Sequence, residues 1–215
     1  MRSLVVLARW PAPGRCKRRL ARSCGSAVAA AAVQRALTGH TLAVARSAAD
    51  RCAARLELAV DGLGERALRR WGRQLGVPRS VPQGHGNLGC RMQRQLQRAF
   101  AGGATQVVLI GTDLPTLERC DLEAAFAALE HTPLVLGPAT DGGYWLIGLN
   151  RRGQTRAAAR LMSGIPWGSE RVLASTVAVA EGLQLPIHLL RRQSDLDASD
   201  DLTAWIRPAA DRWSR

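Results

Sequence analysis

The fold of this 215-residue chain is decided by the segment Val107-Val108-Leu109-Ile110-Gly111-Thr112-Asp113-Leu114-Pro115. Its first four residues are apolar without alternation, which is typical of a strand that helices cover on both faces of the sheet. Ligands of open α/β sheets bind beyond the carboxyl ends of the strands, so the acidic turn that follows is the first place to expect chemistry. The segment therefore predicts a central strand with a functional turn at its end.

The rest of the chain alternates short β-branched runs with helical patterns, as expected for parallel βαβ units. We predict strands over 3–8, 55–61, 105–111, 132–137, 143–149 and 185–191. We predict helices over 26–49, 64–75, 88–101, 119–130, 169–182 and 200–213. A chain of this length can bury one good core. The prediction is one α/β domain over residues 1–215, a three-layer αβα sandwich around a mainly parallel sheet.

Composition narrows the location of the protein. No apolar run is long enough to span a membrane, and the apolar stretch near Met1 is too short to be the core of a signal peptide. We therefore expect a cytoplasmic protein with no membrane partner. The five cysteines are scattered and never closely paired, so we expect reduced thiols rather than a zinc or dithiol site.

The formal net charge of +13 would favour a nucleic-acid partner, because basic faces release counterions from phosphates. The kind and distribution of the basic residues weaken this indication. Lys17 is the single lysine, and the arginines are spread along the chain. Aromatic residues interleaved with the charge, which would stack on bases, are missing. The sequence therefore argues against nucleic-acid binding.

The loop after the first strand, residues 11–20, has two prolines, a glycine and four basic side chains. Backbone N–H groups and cations in such a loop can bind a diphosphate. The loop lacks the Gly-Lys-Ser/Thr ending of a Walker A motif. Its alternative is an ordinary solvated basic loop. The candidates for phosphate binding here are Pro13, Gly14, Lys17 and Arg19.

A second glycine-rich segment, residues 84–89, formally matches the dinucleotide fingerprint G-x-G-x-x-G. Its context does not fit, because Pro82 and Gln83 interrupt the strand that should lead into it. We expect a loop that approaches a ligand just before a helix, with an ordinary glycine-rich connection as the alternative. The candidates for nucleotide binding here are Gly86, Asn87, Gly89 and Arg91.

Asp113 follows the strongest strand of the chain. Mg²⁺ or Mn²⁺ prefers hard oxygen ligands and commonly bridges a carboxylate to substrate phosphates. The alternative is a helix cap, since aspartate and threonine often bind the first amides of a helix. Asp195 and Asp197 are further candidate metal ligands, because residues at i and i+2 of an extended segment point the same way.

The segment Asp141-Gly142-Gly143-Tyr144 joins two predicted strands. Asp-Gly is a favoured hairpin turn and needs no further explanation. Tyr144 is nevertheless the single tyrosine of the chain, and a flat ring beside a carboxylate suits the recognition of a sugar or a base. Trp167 lies at a predicted helix start with Ser169 as its cap, and forms either core or a wall for the acceptor.

Six ordered motifs together resemble a family of small bacterial glycosyltransferase-like proteins, known as arsenosugar-biosynthesis or radical-SAM/selenodomain-associated transferases. The shared positions are Pro11, Pro13, Gly14, Lys17, Arg19, Leu20, Gly86, Leu88, Gly89, Arg91, Met92, Gly111 to Pro115, Asp141 to Tyr144, Asp195, Asp197 and Asp201. The resemblance implies a GT-A fold, which is the fold of nucleotide-diphospho-sugar transferases and is related to the guanylyltransferases of molybdopterin and deazaflavin cofactor synthesis. It also implies that Gly14, Lys17 and Arg19 hold the nucleotide phosphates and that Asp113 holds the metal.

The sequence departs from the family at three positions: Arg9 replaces lysine, Arg18 replaces threonine and Asn87 replaces aspartate. A neutral amide cannot replace a carboxylate as a base or as a strong cation ligand. We predict metal-assisted transfer of a sugar from a nucleotide-diphosphate donor to a small acceptor, with Asp113 and Asp141 as catalytic residues. The alternatives are a nucleotidyltransferase that consumes a nucleoside triphosphate and releases pyrophosphate, and a basic nucleic-acid or partner-binding module that has kept the fold without activity.

Overall fold

The computed structural model describes residues 1–196. Its seven strands are β1 (Arg2–Arg9), β2 (Ala54–Asp61), β3 (Ser80–Pro82), β4 (Gln106–Ile110), β5 (Leu134–Pro138), β6 (Tyr144–Asn150) and β7 (Ile187–Leu189). The helices of this part of the chain are α1 (Arg18–Ser23), α2 (Ala27–Arg51), α3 (Glu65–Gln74), α4 (Leu88–Ala101), α5 (Arg119–His131), α6 (Arg151–Leu161) and α7 (Val172–Gly182). The predicted helix over 200–213 lies outside the described residues.

The strands form one sheet in the order β3-β2-β1-β4-β6-β5-β7. All neighbouring pairs are parallel except those of β6, which is antiparallel to both β4 and β5. The predicted mainly parallel sheet is therefore confirmed. β4 occupies the middle of the sheet and all five of its residues are buried, as its unbroken apolar pattern predicts.

Two apolar cores lie on opposite faces of the sheet. On β1, Leu4 and Val6 join the core shared with α2, α3 and α5. Val5, between them, joins the other core, which is shared with α4, α6 and α7. This alternation follows from the two-residue period of a strand. The predicted three-layer αβα sandwich is confirmed.

The structure corrects four details of the prediction. α1, β3 and α6 were not predicted, and the predicted helix start at Ser169 is wrong. α6 follows β6 directly, because Asn150 at its N-cap accepts hydrogen bonds from the backbone amides of Arg152 and Gly153. β3 ends in a proline, which an edge strand tolerates. α7 begins only at Val172, and Ser169 instead donates to the carbonyl of Pro166 in the preceding turn.

The helices differ in length and in apolar character. Within residues 1–196, none of them combines the length and the apolar character needed to cross a bilayer.

Candidate active site

A cavity of about 700 Å³ lies beyond the carboxyl ends of the parallel strands. Its wall includes Arg9 at the end of β1, Gln83 directly after β3 and Gly111 directly after β4. The predicted site residues that line it are Lys17, Arg19, Gly86, Asn87, Arg91, Asp113, Asp141, Gly143, Tyr144, Trp167 and Asp195. The topology thus brings together motifs that are far apart in the sequence, at the place where α/β sheets bind ligands.

Asp113 and Lys17 form the polar centre of this cavity. The Lys17 Nζ atom lies 2.6 Å from Asp113 Oδ1. The Lys17 side chain is only 4% exposed, whereas the Asp113 side chain is 46% exposed. The buried ammonium is therefore compensated, and the carboxylate still presents a face to the cavity.

The alternative of a helix cap for Asp113 is wrong. α5 begins at Arg119, and its N-cap is Glu118. The backbone amide of Glu118 donates to Asp121 Oδ2 at 2.9 Å. Since other residues cap the helix, capping does not explain the carboxylate of Asp113.

The first loop approaches the cavity through its second half. Lys17 has a left-handed backbone conformation, with φ of 44° at the N-cap of α1. This conformation is uncommon for a residue with a side chain, and here it accompanies a lysine side chain that is turned inward. Pro13 and Gly14 are exposed and do not line the cavity. Their predicted role in phosphate binding stays a prediction.

The end of the described chain reaches the same place. The backbone amide of Leu196 donates to the Asp113 carbonyl at 2.8 Å, and Lys17 Nζ donates to the Leu196 carbonyl. The side chain of Leu196 is fully buried against Leu20 and Leu37. Asp195, just before it, lines the cavity. Asp197, the other predicted metal ligand, lies outside the described residues.

The second glycine-rich segment ends in a capped helix. Asn87 Oδ1 accepts a hydrogen bond from the backbone amide of Cys90 at 2.9 Å, so Asn87 is the N-cap of α4. Asparagine and aspartate cap helices about equally well. The local fold of this segment therefore accommodates the departure from the family aspartate.

Gly89 has a packing role in the structure. A Cβ atom at this position would lie 2.3 Å from the carbonyl oxygen of Met162 and 2.5 Å from Trp167 Nε1. Gly89 does not line the cavity. Close approach of α4 to the wall that carries Trp167 is thus a physical reason for glycine here, and its predicted contact with nucleotide stays a prediction.

Three residues that the sequence analysis did not propose for the site also line the cavity, namely Arg9, Asp61 and Gln83. Asp61, at the end of β2, binds Arg91 at 2.8 Å and Arg9 at 3.2 Å. Gln83 is buried and donates to the carbonyls of Ala8 and Ala59. The positions of Asp61 and Arg9 at strand ends were available from the sequence, but their pairing depends on the order of the strands.

The turn that joins β5 to β6 carries Asp141. Asp141 Oδ1 accepts from the Gly143 amide at 2.8 Å, and the residue is exposed at the cavity. Gly142 has φ of 86°, and a Cβ atom there would lie 2.0 Å from the Glu170 carbonyl oxygen. Gly142 thus lets the turn sit tightly on the segment before α7. It does not itself line the cavity.

Tyr144 and Trp167 form an aromatic wall beside Asp141. Their rings meet edge to face, with centroids 6.3 Å apart. Burial raises the pKa of Tyr144, so its hydroxyl stays neutral. Within residues 1–196, the buried Nε1 of Trp167 has no hydrogen-bond partner. The wall is mainly apolar, with polar atoms at its edges, as in many ligand sites.

Two of the predicted metal ligands, Asp113 and Asp195, line the cavity and could hold a divalent cation. Among the described residues there is no group of three or more potential ligand side chains. Mg²⁺ is usually held by one or two carboxylates together with substrate phosphates and water. The two carboxylates on the cavity fit that arrangement, in which the substrate supplies the remaining ligands.

The fold and the cavity define the class of protein. A mostly parallel sheet of this order, with helices on both faces, is the nucleotide-diphospho-sugar transferase (GT-A) fold. The chain belongs to the family described as "Uncharacterized protein conserved in bacteria (DUF2064)", which matches residues 41–169. A comparison with curated proteins finds no match.

Solved structures share this fold. A protein of Desulfovibrio desulfuricans G20, assigned as a nucleotide-diphospho-sugar transferase, is 27% identical with a TM-score of 0.82, over 96% of this chain and 87% of that one. Rv0371c of Mycobacterium tuberculosis H37Rv, in complex with manganese, is 19% identical with a TM-score of 0.56, over 96% and 97%. The 2-C-methyl-D-erythritol 4-phosphate cytidylyltransferase of Thermus thermophilus is 14% identical with a TM-score of 0.57, over 98% and 100%. The two more distant structures share the fold.

Proposed function

We propose that this protein transfers a sugar from a nucleotide-diphosphate donor to a small acceptor. The observation that carries the proposal is the convergence of Lys17, Asp113 and Asp141 on one cavity at the end of the central strand. The likeness to the D. desulfuricans protein supports the same class of reaction. The resemblance to arsenosugar-biosynthesis and radical-SAM-associated transferases is part of this proposal.

The donor diphosphate would lie between the first loop and the acidic turn. Arg19 supplies positive charge there and Arg91 supplies it from the start of α4, while Lys17 lines the same cavity in its ion pair with Asp113. Asp113 and Asp195 would hold Mg²⁺ or Mn²⁺, which when bound neutralises charge on the departing diphosphate. Fixed cations of this kind favour a transition state in which negative charge develops on the leaving group.

The acceptor would lie against the aromatic wall. Asp141 is exposed at the cavity, so its carboxylate can accept the proton of an acceptor hydroxyl as that hydroxyl attacks the sugar. The amide of Gly143 already fixes the orientation of this carboxylate. Tyr144 and Trp167 would shield the reacting atoms from water.

A second candidate is transfer of a nucleotidyl group from a nucleoside triphosphate, with release of pyrophosphate. The cytidylyltransferase of T. thermophilus, which has the same fold, favours it. The basic loop and the acidic turn would bind a triphosphate as readily as a diphosphate. The two reactions differ in the group that leaves.

The leaving group therefore provides the test. The full chain is incubated with Mn²⁺ and a panel of labelled sugar nucleotides, and separately with the four nucleoside triphosphates and candidate sugar phosphates. Release of nucleoside diphosphate from a sugar nucleotide supports the proposal. Pyrophosphate release without consumption of any sugar nucleotide assigns the second candidate instead. The same assay is applied to Asp113→Asn, which should lose turnover of the donor. Its matched control is Asp50→Asn, which changes an exposed aspartate of α2.

A further inference from the structure

The segment after β7 crosses the molecule and ends at the cavity. We call residues 190–196 the C-terminal strap. The Leu190 amide donates to the Leu136 carbonyl, and the Gln193 amide donates to the Pro138 carbonyl. The strap therefore continues along β5, to which β7 is also parallel. Its last described residue is bound to Asp113 and Lys17, as noted above.

An ionic clamp fixes the middle of the strap to the start of α5. Arg191 binds Asp121 with two parallel hydrogen bonds, Nε to Oδ1 at 2.5 Å and Nη2 to Oδ2 at 2.8 Å. The Asp121 side chain is 4% exposed and that of Arg191 is 51% exposed. Burial acts to raise the pKa of Asp121, but hydrogen bonds from Arg191, the Glu118 amide and Gln193 outweigh it and lower that pKa.

Gln193 connects this clamp to the strap beyond it. Its amide group donates to Asp121 Oδ2 at 3.1 Å, and its Oε1 accepts from Thr116 Oγ1 at 2.8 Å. Its carbonyl accepts from the backbone amide of Thr140, next to the turn that carries Asp141. One buried carboxylate thus organises contacts from the strap, from the loop after Asp113 and, through Gln193, from the β5–β6 turn.

We propose that Arg191 is a positioning residue for the active site: its bidentate clamp on Asp121 holds the strap so that Asp195 lines the same cavity as Asp113. Arg191 does not line the cavity itself, so it acts through the residues that follow it. Planar guanidinium geometry matters here, because lysine can bind a carboxylate only as a point charge. The role in catalysis rests on the proposed function, whereas the positioning of the strap does not.

The test compares Arg191→Met with Arg192→Met, the same substitution at the exposed next position. Hydrogen exchange of peptides that contain Gln193 and Leu196 reports the position of the strap directly. The second readout is the affinity for Mn²⁺ with a nucleoside diphosphate, measured by electron paramagnetic resonance. Loss of an outer positioning contact commonly weakens metal binding by about 10- to 100-fold. We expect Arg191→Met to show faster exchange at both amides and about tenfold weaker binding, and Arg192→Met to show neither.

Two further variants separate positioning from stability. The double variant Asp121→Asn/Arg191→Met removes both charges and so leaves no unpaired buried carboxylate. It replaces Arg191→Met in the test if that single variant unfolds. Arg191→Lys keeps the positive charge but lacks the planar guanidinium that makes two hydrogen bonds. It should therefore restore Mn²⁺ binding only in part. The proposal is overturned if folded Arg191 variants exchange and bind Mn²⁺ like Arg192→Met. If the unaltered protein binds no Mn²⁺ nucleotide, the proposed function fails, and the exchange data still decide whether Arg191 positions the strap.

Discussion

Two aspartates, Asp113 and Asp121, follow the central strand β4 in the sequence. They differ in their exposure to solvent and in the number of their hydrogen-bond partners. The Asp113 side chain is 46% exposed at the cavity, and one of its carboxylate oxygens forms an ion pair with Lys17. Asp121 is 4% exposed and is bound on both oxygens by Arg191, with further hydrogen bonds from Gln193 and the Glu118 amide. A carboxylate that is fully bound by its own protein stabilises the structure, whereas one that keeps an exposed face can still bind a ligand. The predictions below test that difference.

The largest effect is expected for Asp113→Asn. Asp113 would hold the metal that stabilises charge on the departing diphosphate, and loss of one such stabilising interaction commonly lowers kcat by about 10²- to 10³-fold. We expect a loss of that size in turnover of the donor, and loss of metal-dependent donor binding in calorimetry. The free energy of unfolding should also fall, by about 3 kcal/mol, because the substitution takes the Asp113 counter-charge away from the buried Lys17 ammonium.

One result would contradict the predicted role of Asp113. If Asp113→Asn binds the donor with unchanged affinity while Asp50→Asn behaves the same way, Asp113 is a structural turn residue. The comparison between the two aspartates would then have no functional meaning.

At the buried aspartate, the two partners should differ in their contribution to stability. Arg191→Met leaves a buried carboxylate without its counter-charge, which should cost about 3 kcal/mol in the free energy of unfolding. Asp121→Asn leaves a half-exposed guanidinium that water can solvate, so we expect a loss of about 1 kcal/mol. Urea unfolding of both variants measures the difference. Equal losses would show that Asp121 is better solvated than its burial indicates.

The lowered pKa of Asp121 predicts a dependence of stability on pH. The stabilising contribution is complete above the unfolded pKa of about 3.9 and is lost as the pH falls through the lower folded pKa. The difference in free energy of unfolding between the unaltered protein and Asp121→Asn should therefore shrink as the pH is lowered below about 4. A difference that stays constant between neutral pH and about pH 3 would contradict the ion pair.

The same contrast between binding and packing applies to Gly89. A methyl group there would overlap the Met162 carbonyl and Trp167, so Gly89→Ala should lower the free energy of unfolding by about 2 kcal/mol. Gly39→Ala is the control, because Gly39 lies in α2 with open space around it, and alanine should stabilise that helix by about 1 kcal/mol. Thermal unfolding of both variants decides whether Gly89 is retained for packing.

The sequence predicted the fold well because periodicity reports burial. The apolar run of β4 is the clearest example, and its place at the centre of the sheet is confirmed. The clustering of Lys17, Asp113 and Asp195 also follows from their positions in the segments that come after β1, β4 and β7. Asp61 with Arg9, and Asp121 with Arg191, could not be predicted, because each pair joins distant parts of the chain through a strand order that one sequence does not contain.

The smallest effect is expected for Asn87→Asp, at one of the three positions where the sequence departs from the family that it resembles. Asn87 caps α4, and an aspartate would keep the cap and add a favourable interaction with the helix dipole. The free energy of unfolding should rise by about 0.3 kcal/mol. Turnover of the donor is the more informative measurement. A rise of more than about tenfold would show that the family carboxylate acts in the chemistry, since a cap alone would move stability and leave the reaction rate to Asp113 and Asp141.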